Sequence, residues 1–179
     1  MVNKEQRVGI FIDVQNLYHS AKNLYKARVN FKELIKQLVD NRKLIRSMAY
    51  VVKTDGTDAE PARSANSKIA SSESAFFDAL KQAGIELRMK DIQIYPGGMK
   101  KADWDVGMAV DAIRMGSFLD VVILVTGDGD FIPLVDYIKW GMGRTVEVAG
   151  FSRTASGKLK EVADKFIAIE DIPRVLIKK

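Results

Sequence analysis

The sequence contains no cysteine, and its 179 residues include a single histidine, His19. The lack of cysteine excludes disulfides and thiolate metal sites, and it favours an intracellular protein, so we expect a cytoplasmic location. With one histidine, zinc sites built from several histidines are excluded, and so are serine–histidine pairs away from His19. A metal site in this chain would therefore rest on oxygen ligands.

Long apolar runs are missing too. No stretch reaches the roughly eighteen apolar residues of a transmembrane helix, and the amino terminus lacks a signal-peptide apolar region, so we expect no membrane association. Charged residues make up 28% of the chain and are mixed in sign, with a net charge of +5 that leans weakly towards a polyanionic partner such as nucleic acid. Length and composition predict one globular domain over residues 1–179.

Short apolar runs alternate with segments of helical periodicity. The runs that predict strands are 7–13, 47–53, 85–89, 121–126, 145–149 and 166–169. The run at 121–126 has no polar alternation, which is typical of a strand buried on both faces in a parallel sheet. Alternating strands and helices predict right-handed crossovers and a mostly parallel sheet with helices on both faces.

Two local patterns in the predicted helices are specific. Asn30 and Glu33 form a capping-box pattern, and Gly84 is placed to end a helix that begins near residue 63. In the helix that ends near Met115, the periodicity predicts burial of Val106, Ala109, Val110 and Ile113.

Acidic residues from distant parts of the sequence are predicted to meet at one edge of the sheet. Asp13 ends the first strand, and Asp128 and Asp130 follow the run at 121–126. Asp103 and Asp105 precede a helix that begins at the same edge. Clustered carboxylates repel one another unless a cation neutralises them. Oxygen ligands suit Mg²⁺ or Mn²⁺, ions that activate water for phosphodiester hydrolysis.

Helix capping is the plainer interpretation of most of these residues. Asn16, Asp103 and Asp130 stand where helices are predicted to begin, and Asn and Asp are preferred N-caps. Asp13 follows a buried strand directly, so it has less reason to be a cap, and its desolvated carboxylate needs a partner. The conjunction of acids at one edge favours the functional interpretation.

The remaining polar candidates are weaker. Asp111 lies about 240° around a helix from Asp105, so we keep it as a supporting residue only. We interpret His19 as a helix-surface residue, not a catalytic base. Basic residues that are candidates for phosphate contacts, without specific spacing, are Lys100, Lys101, Arg153, Lys158 and Lys160.

Three ordered segments resemble the NYN domain, with the closest similarity to its LabA-like branch within the PIN-like nuclease superfamily. These segments are FIDVQN at 11–16, KADWDVGMAVDA at 101–112 and TGDGDFIPL at 126–134, and LKEVADKFI at 159–167 is similar to that branch as well. The resemblance extends from about residue 7 to residue 170. It implies a PIN-like three-layer α/β/α sandwich with a central, mostly parallel sheet, a Mg²⁺ or Mn²⁺ site, and action on RNA.

The resemblance also implies roles for individual residues. The acids that match the family's metal-binding positions are Asp13, Asp105, Asp128 and Asp130. Asn16 matches the polar residue that supports the first acid, and Thr126 keeps the hydroxyl of the serine that is frequent there. Asp103 and Asp111 match acids that recur in the branch without an assigned role.

Three functions are compatible with these residues. The leading hypothesis is a metal-dependent ribonuclease that hydrolyses RNA phosphodiester bonds. The second is a non-catalytic RNA- or protein-binding regulatory module that retains the acidic pocket and acts through a partner or as a homodimer. The third and weakest is a Mg²⁺-dependent phosphatase for small phosphoesters.

Overall fold

The structure, a computed structural model, describes residues 3–53, 65–91, 93–94, 100–101 and 104–178. Side chains are described for residues 3–52, 74–90 and 104–178. In the first half of the chain the elements are β1 (Arg7–Asp13), α1 (Val14–Tyr25), β2 (Ala27–Val29), α2 (Phe31–Val39), β3 (Lys43–Lys53), α3 (Ala65–Gln82), β4 (Glu86–Asp91), β5 (Gln93–Ile94) and β6 (Lys100–Lys101).

In the second half the elements are α4 (Asp105–Gly116), β7 (Val121–Val125), a 3₁₀ turn (Gly129–Phe131), α5 (Ile132–Asp136), a π-helical turn (Tyr137–Gly141), β8 (Thr145–Gly150), α6 (Gly157–Val162), β9 (Lys165–Ala168), a second 3₁₀ turn (Ile169–Asp171) and β10 (Leu176–Lys178). Within the described ranges, no helix is both long enough and apolar enough to cross a membrane.

The central sheet has the strand order β4-β3-β1-β7-β8-β9, and all of its neighbouring pairs are parallel. The chain proceeds outward from β1 to β3 and β4, and then returns to place β7 on the other side of β1. The strand order therefore reverses direction between β1 and β7. In open α/β sheets, such a switch point leaves a crevice at the carboxyl ends of the two strands, where ligands bind.

Helices pack on both faces of this sheet around two apolar cores. Ile10 and Ile12 of β1 face α1, α2 and α3, whereas Phe11 faces α4, α5 and α6. All five residues of β7 are buried, and alternate residues belong to opposite cores. This arrangement confirms the predicted α/β/α sandwich and the prediction of a central strand buried on both faces.

One buried ion pair links α2 to the sheet. The Arg42 guanidinium donates to both carboxylate oxygens of Glu147 on β8, at 2.8 and 3.0 Å, and both side chains are almost fully buried. Arg42 also donates to the backbone carbonyls of Leu38 and Val39 at the end of α2. The guanidinium thus satisfies the last turn of the helix while it neutralises a buried carboxylate.

The predicted helix signals were largely confirmed. Asn30 is the N-cap of α2, and its side-chain oxygen accepts from the Glu33 N–H at 3.3 Å. The reciprocal half of the capping box is not formed, because the Asn30 N–H donates to the carbonyl of Val175 instead. Gly84, just beyond α3, has a φ of +78°, the left-handed conformation expected of a glycine that ends a helix.

The prediction for the inward face of α4 was confirmed for Ala109 and Ile113, which pack against the core, and was wrong for the two valines. Val106 is 75% exposed and Val110 is 47% exposed. The residues that α4 buries are Met108, Asp111, Ala112 and Gly116. Apolar periodicity did not predict the burial of Asp111, because it treats an aspartate as exposed. The charge of Asp111 is compensated by Arg88, whose Nε lies 3.1 Å from its Oδ2.

Two further differences concern strands. The second strand of the main sheet begins at Lys43, earlier than the predicted residue 47. The antiparallel pair of β2 and β10 was not predicted, because each strand has three residues, too few for a periodic signal.

Candidate functional site

A pocket of about 250 Å³ lies at the carboxyl edge of the sheet, where β1 and β7 end. Its walls come from the β1–α1 junction, the end of β3, the start of α4 and the segment after β7. The lining residues are Asp13, Gln15, Asn16, His19, Tyr50, Val52, Trp104, Asp105 and Asp128. The sheet topology thus brings together three of the predicted acids, Asp13, Asp105 and Asp128, which are far apart in sequence.

Asp13 is both the last residue of β1 and the N-cap of α1. One carboxylate oxygen, Oδ1, accepts from the Asn16 N–H at 3.1 Å. The other, Oδ2, accepts from the Thr126 hydroxyl at 3.1 Å. The expectation that Asn16 caps this helix was therefore wrong. Helix α1 begins directly after β1, so the cap falls on the acid at the end of the strand.

Asn16 instead connects the first helix to the segment after β7. Its side-chain Oδ1 accepts from the Gly127 N–H at 3.0 Å. The Thr126 hydroxyl oxygen also accepts from the Asp128 N–H, at 3.2 Å, while the same hydroxyl donates to Asp13. These bonds fix the two acid-bearing segments relative to each other.

Gly127 permits this close arrangement. A Cβ atom built on Gly127 would lie 3.0 Å from the backbone Cα of Ala155, a contact that the loop after β8 cannot relieve by rotating a side chain. The Gly127 carbonyl also accepts from the Ser156 N–H at 2.9 Å. The turn after β7 therefore favours glycine, because a Cβ here would press against a neighbouring backbone.

The two acids after β7 have different environments. Asp128 is the N-cap of the 3₁₀ turn, and its Oδ1 accepts from the Asp130 N–H at 2.9 Å. Asp130 lies inside that turn, is exposed, and is not among the residues that line the pocket. The alternative that Asp130 caps the helix was wrong, because the helical turn begins at Gly129 and Asp128 caps it.

Burial dominates the electrostatics of Asp13 and raises its pKa above the ordinary value for aspartate. The hydrogen bonds from the Asn16 N–H and the Thr126 hydroxyl oppose this shift, whereas the negative charge of Asp128 raises the pKa further. A partly desolvated carboxylate that faces a second carboxylate is a position that a bound cation would stabilise.

The donor atoms of the pocket fit a hard divalent cation. Asp13, Asp105 and Asp128 offer carboxylate oxygens, and Asn16 and Gln15 offer amide oxygens nearby. In the part of the chain that the structure describes, no three Asp, Glu, His or Cys side chains form a group that could hold a metal ion. Mg²⁺ is usually bound by one or two carboxylates together with water and substrate phosphates, so a complete protein cage is not required.

Trp104 and Tyr50 form an aromatic part of the pocket wall. Trp104 precedes α4, and its indole N–H donates to the carbonyl of Val51 at 2.9 Å. Its ring packs on Gly107, where an added Cβ would lie 2.5 Å from the indole, and its ring centroid is 5.7 Å from that of Tyr50. The indole therefore anchors the start of α4, with Asp105 at the first helical position, against the end of β3.

Sequence reasoning missed Gln15, Trp104 and Tyr50, and it interpreted His19 as a helix-surface residue only. His19 is exposed, as expected of a helix-surface residue, yet it also lines the pocket. Gln15 and His19 are four positions apart on α1, the spacing that places both on one face of a helix. That spacing, starting next to Asp13, was the available signal.

Several predicted residues lie elsewhere. Asp111 is 4% exposed, contacts Tyr50 and Arg88, and does not line the pocket. Arg153 and Lys158 are exposed in the segment after β8, at the same edge of the sheet, but neither lines the pocket.

Three predicted residues cannot be placed in the site. Asp103 lies outside the described residues. The backbones of Lys100 and Lys101 form β6, and their side chains lie outside the described part.

The profile of the NYN domain matches residues 7–170 of the chain. A crystal structure of a protein of unknown function from Vibrio parahaemolyticus RIMD 2210633 is similar, with 28% sequence identity, a TM-score of 0.82 and coverage of 99% of both chains. No curated protein matches the sequence. The LabA-like branch stays a prediction. The α/β/α sandwich with its acidic pocket agrees with this match, which spans most of the sequence. The chain belongs to the NYN domain family of the PIN-like nuclease superfamily.

Proposed function

We propose that the protein is a metal-dependent ribonuclease that hydrolyses RNA phosphodiester bonds in the acidic pocket. The observation that carries the proposal is the convergence of Asp13, Asp105 and Asp128 on one pocket at the switch point of the sheet. NYN nucleases act on RNA, and PIN-like nucleases generally use divalent metals. The net charge of +5 is compatible with a polyanionic substrate.

Asp13 and Asp128 are the residues that would hold Mg²⁺ or Mn²⁺, with Asp105 contributing from α4. When bound, such an ion supplies Lewis-acid stabilisation of phosphoryl charge and lowers the pKa of water. Asp130 lies two positions after Asp128 and is exposed, and it would add a further carboxylate to the shell of the ion.

The surrounding residues orient these acids. The Thr126 hydroxyl and the Asn16 backbone N–H each hold one oxygen of Asp13. The Asp130 N–H holds one oxygen of Asp128. Each carboxylate oxygen has two lone pairs, so an oxygen that accepts one hydrogen bond can still bind a metal ion. The hydrogen bonds restrict rotation of both carboxylates, which reduces the reorganisation needed when charge develops on the phosphate.

Substrate contacts would come from the aromatic wall and from the basic edge. Trp104 is partly exposed next to the acids and offers a surface on which a base of single-stranded RNA can stack. Arg153 and Lys158 are exposed at the same edge and suit phosphate contacts.

The direct test is cleavage of single-stranded RNA in Mn²⁺ by the wild type, Asp13→Asn and Asp128→Asn. We expect each pocket variant to lose at least about a hundredfold in rate, since each removes a charge that binds the ion. Asp136→Asn changes an exposed aspartate of α5 and is the matched control, which we expect to remain fully active. Equal rates of cleavage by the wild type and Asp13→Asn would refute the proposal that RNA is hydrolysed in the acidic pocket.

A second function, a non-catalytic RNA-binding module, is favoured by one observation. Although Asp13, Asp105 and Asp128 line one pocket, no three Asp, Glu, His or Cys side chains of the described residues form a group that could hold a metal ion between them. This alternative predicts RNA binding that persists in EDTA, with no product formed under any metal condition. A filter-binding assay run beside the cleavage assay separates the two functions.

A further inference from the structure

A second pocket, of about 440 Å³, lies between α4 and the β3–β4 side of the sheet. It shares no lining residue with the acidic pocket. Its charged lining residues are Arg46, Arg88, Arg114 and Asp111, so cations outnumber the carboxylate by three to one. The two pockets therefore have opposite electrostatic character, and the second suits an anion.

Arg88 is held in place by the buried carboxylate of Asp111. The Arg88 Nε and Nη2 donate to the two oxygens of Asp111 at 3.1 and 3.3 Å. The Tyr50 hydroxyl donates to the same carboxylate at 3.0 Å. A guanidinium has five N–H donors, so this two-bond pair leaves three for a ligand. The carboxylate is already neutralised and almost fully buried, with a side-chain exposure of 6%, which limits its repulsion of an incoming anion.

The other two guanidiniums are less engaged. Arg114 Nη1 lies 3.8 Å from Asp111 Oδ1, and the Arg114 side chain is 74% exposed. Arg46 Nε lies 3.6 Å from Glu86 Oε1, beyond hydrogen-bond distance, and its side chain is half exposed. Neither arginine is needed to neutralise a buried charge. Both can donate to a phosphate, the anion that matches the planar fork of arginine.

An apolar surface lies beside the arginines. Phe118 is 45% exposed at the pocket, and Met115 on the last turn of α4 adjoins it. Inorganic phosphate would leave this surface unused. A nucleoside phosphate would use both parts, because bases stack on aromatic rings while guanidiniums bind phosphate. The volume lies within the range of about 300–1,000 Å³ that is usual for small-ligand sites.

We propose that this pocket binds a nucleoside phosphate, with the phosphate on Arg46, Arg88 and Arg114 and the base against Phe118. The same chemistry is offered by a free nucleotide and by the 5′-phosphorylated end of an RNA strand. The site does not depend on the acidic pocket, so the proposal stands apart from ribonuclease activity.

The test is isothermal titration of the full chain with adenosine 5′-monophosphate in EDTA, which prevents cation-bridged binding. The double variant Arg46→Gln/Arg114→Gln should weaken binding at least about tenfold, because two charge-assisted contacts are lost. Phe118→Ala should weaken it several-fold. Arg28→Gln removes an exposed arginine of β2 and is the matched control, expected to stay within twofold of the wild type.

Asp13→Asn should also bind adenosine 5′-monophosphate like the wild type, which separates this site from the acidic pocket. Displacement of the nucleotide by a 5′-phosphorylated RNA tetramer, but not by its unphosphorylated form, would identify the strand end as the source. Absence of displacement would identify the free nucleotide. The proposal is overturned if the double variant binds like Arg28→Gln, if inorganic phosphate binds as tightly as the nucleotide, or if neither the nucleotide nor the RNA binds at millimolar concentration.

Discussion

The hydroxyl of Thr126 is the connection between the two principal acids, and its removal gives a sharp prediction. Thr126 is 1% exposed, and its hydroxyl donates to Asp13 and accepts from the backbone N–H of Asp128. Thr126→Val keeps the shape of the side chain and deletes both bonds. Thr126→Ser keeps the hydroxyl and deletes only a methyl group.

The expected loss of stability in Thr126→Val follows from the two groups that lose their partner, the Asp13 carboxylate and the Asp128 N–H. A hydrogen bond to a charged group contributes about 1.5–3 kcal/mol, and an unsatisfied buried N–H costs about 1–3 kcal/mol. Asp13 faces the pocket, where water replaces part of the lost bond, and the Asp128 N–H is only partly buried. We therefore expect Thr126→Val to lower the free energy of unfolding by about 2–3 kcal/mol. That is a large part of the roughly 5–15 kcal/mol of a typical domain.

Urea denaturation followed by circular dichroism measures this difference. Thr126→Val should shift the midpoint without changing the m-value. In thermal unfolding the same loss corresponds to roughly 4–12 °C, at about 2–4 °C per kcal/mol for a domain of this size. Thr126→Ser should lose about 1 kcal/mol, mainly for its buried methyl group. If the two variants have equal free energies of unfolding, the hydroxyl does not hold the acids and the reasoning is refuted.

Three further predictions concern charge. Burial and the charge of Asp128 raise the pKa of Asp13 in the folded protein. The free energy of unfolding therefore begins to fall as pH rises through the pKa that Asp13 has in the unfolded chain. The loss is complete above its pKa in the folded protein. Asp13→Asn removes the charge but keeps a side-chain oxygen for the cap. In EDTA at pH 7 this variant should therefore have a higher melting temperature than the wild type, and the difference should vanish below about pH 4. A lower melting temperature of the variant at pH 7 would contradict this. Added Mn²⁺ should raise the melting temperature of the wild type, and a similar rise in Asp13→Asn and Asp128→Asn would place the ion elsewhere. Glu147→Ala should lower the free energy of unfolding, measured by urea denaturation, by about 3–5 kcal/mol, because it leaves the buried Arg42 without its carboxylate partner. A loss of less than about 1 kcal/mol would show that the pair is not buried in solution.

The sequence was sufficient for the sheet and for the edge where the site lies. An apolar run without alternation predicted the doubly buried β7, and the alternation of strands and helices predicted parallel pairing. Parallel strands direct their carboxyl ends to one edge, so acids at strand ends could be grouped without a structure. That rule depends on topology alone, so it holds even where a predicted boundary is wrong by several residues, as for β3, which begins at Lys43 and not at residue 47.

The burial of Asp111 on α4 could not be predicted, because burial of a charged residue depends on partners from other elements. Asp111 is buried by contacts with Tyr50 of β3 and Arg88 of β4. Both partners are more than twenty positions away in sequence. Periodicity weighs each residue by its own polarity, so it placed Val106 and Val110 inward beside Ala109 and Ile113, and only the last two pack against the core.

The helix caps show a different limit. Residue preference offered Asn16 and Asp130 as the alternative caps, whereas the caps are Asp13 and Asp128. Which residue caps depends on the residue at which the helix begins, and boundaries are the least certain part of a sequence-based assignment. In both cases the cap lies two or three positions before the residue that preference selected.

Capping and metal binding were treated as competing roles, but the structure of the pocket makes them compatible. Asp13 and Asp128 each accept a backbone N–H at the start of a helical segment. For Asp13 this hydrogen bond opposes the rise in pKa that burial causes. Among the described lining residues there is no lysine or arginine. A basic side chain in the pocket would neutralise the acids permanently and compete with any cation. Backbone N–H groups offset part of the cost of two neighbouring negative charges without occupying the pocket. Asp13 and Asp128 thus each cap a helical segment and face no basic side chain among the described lining residues, an arrangement that would suit a reversibly bound cation.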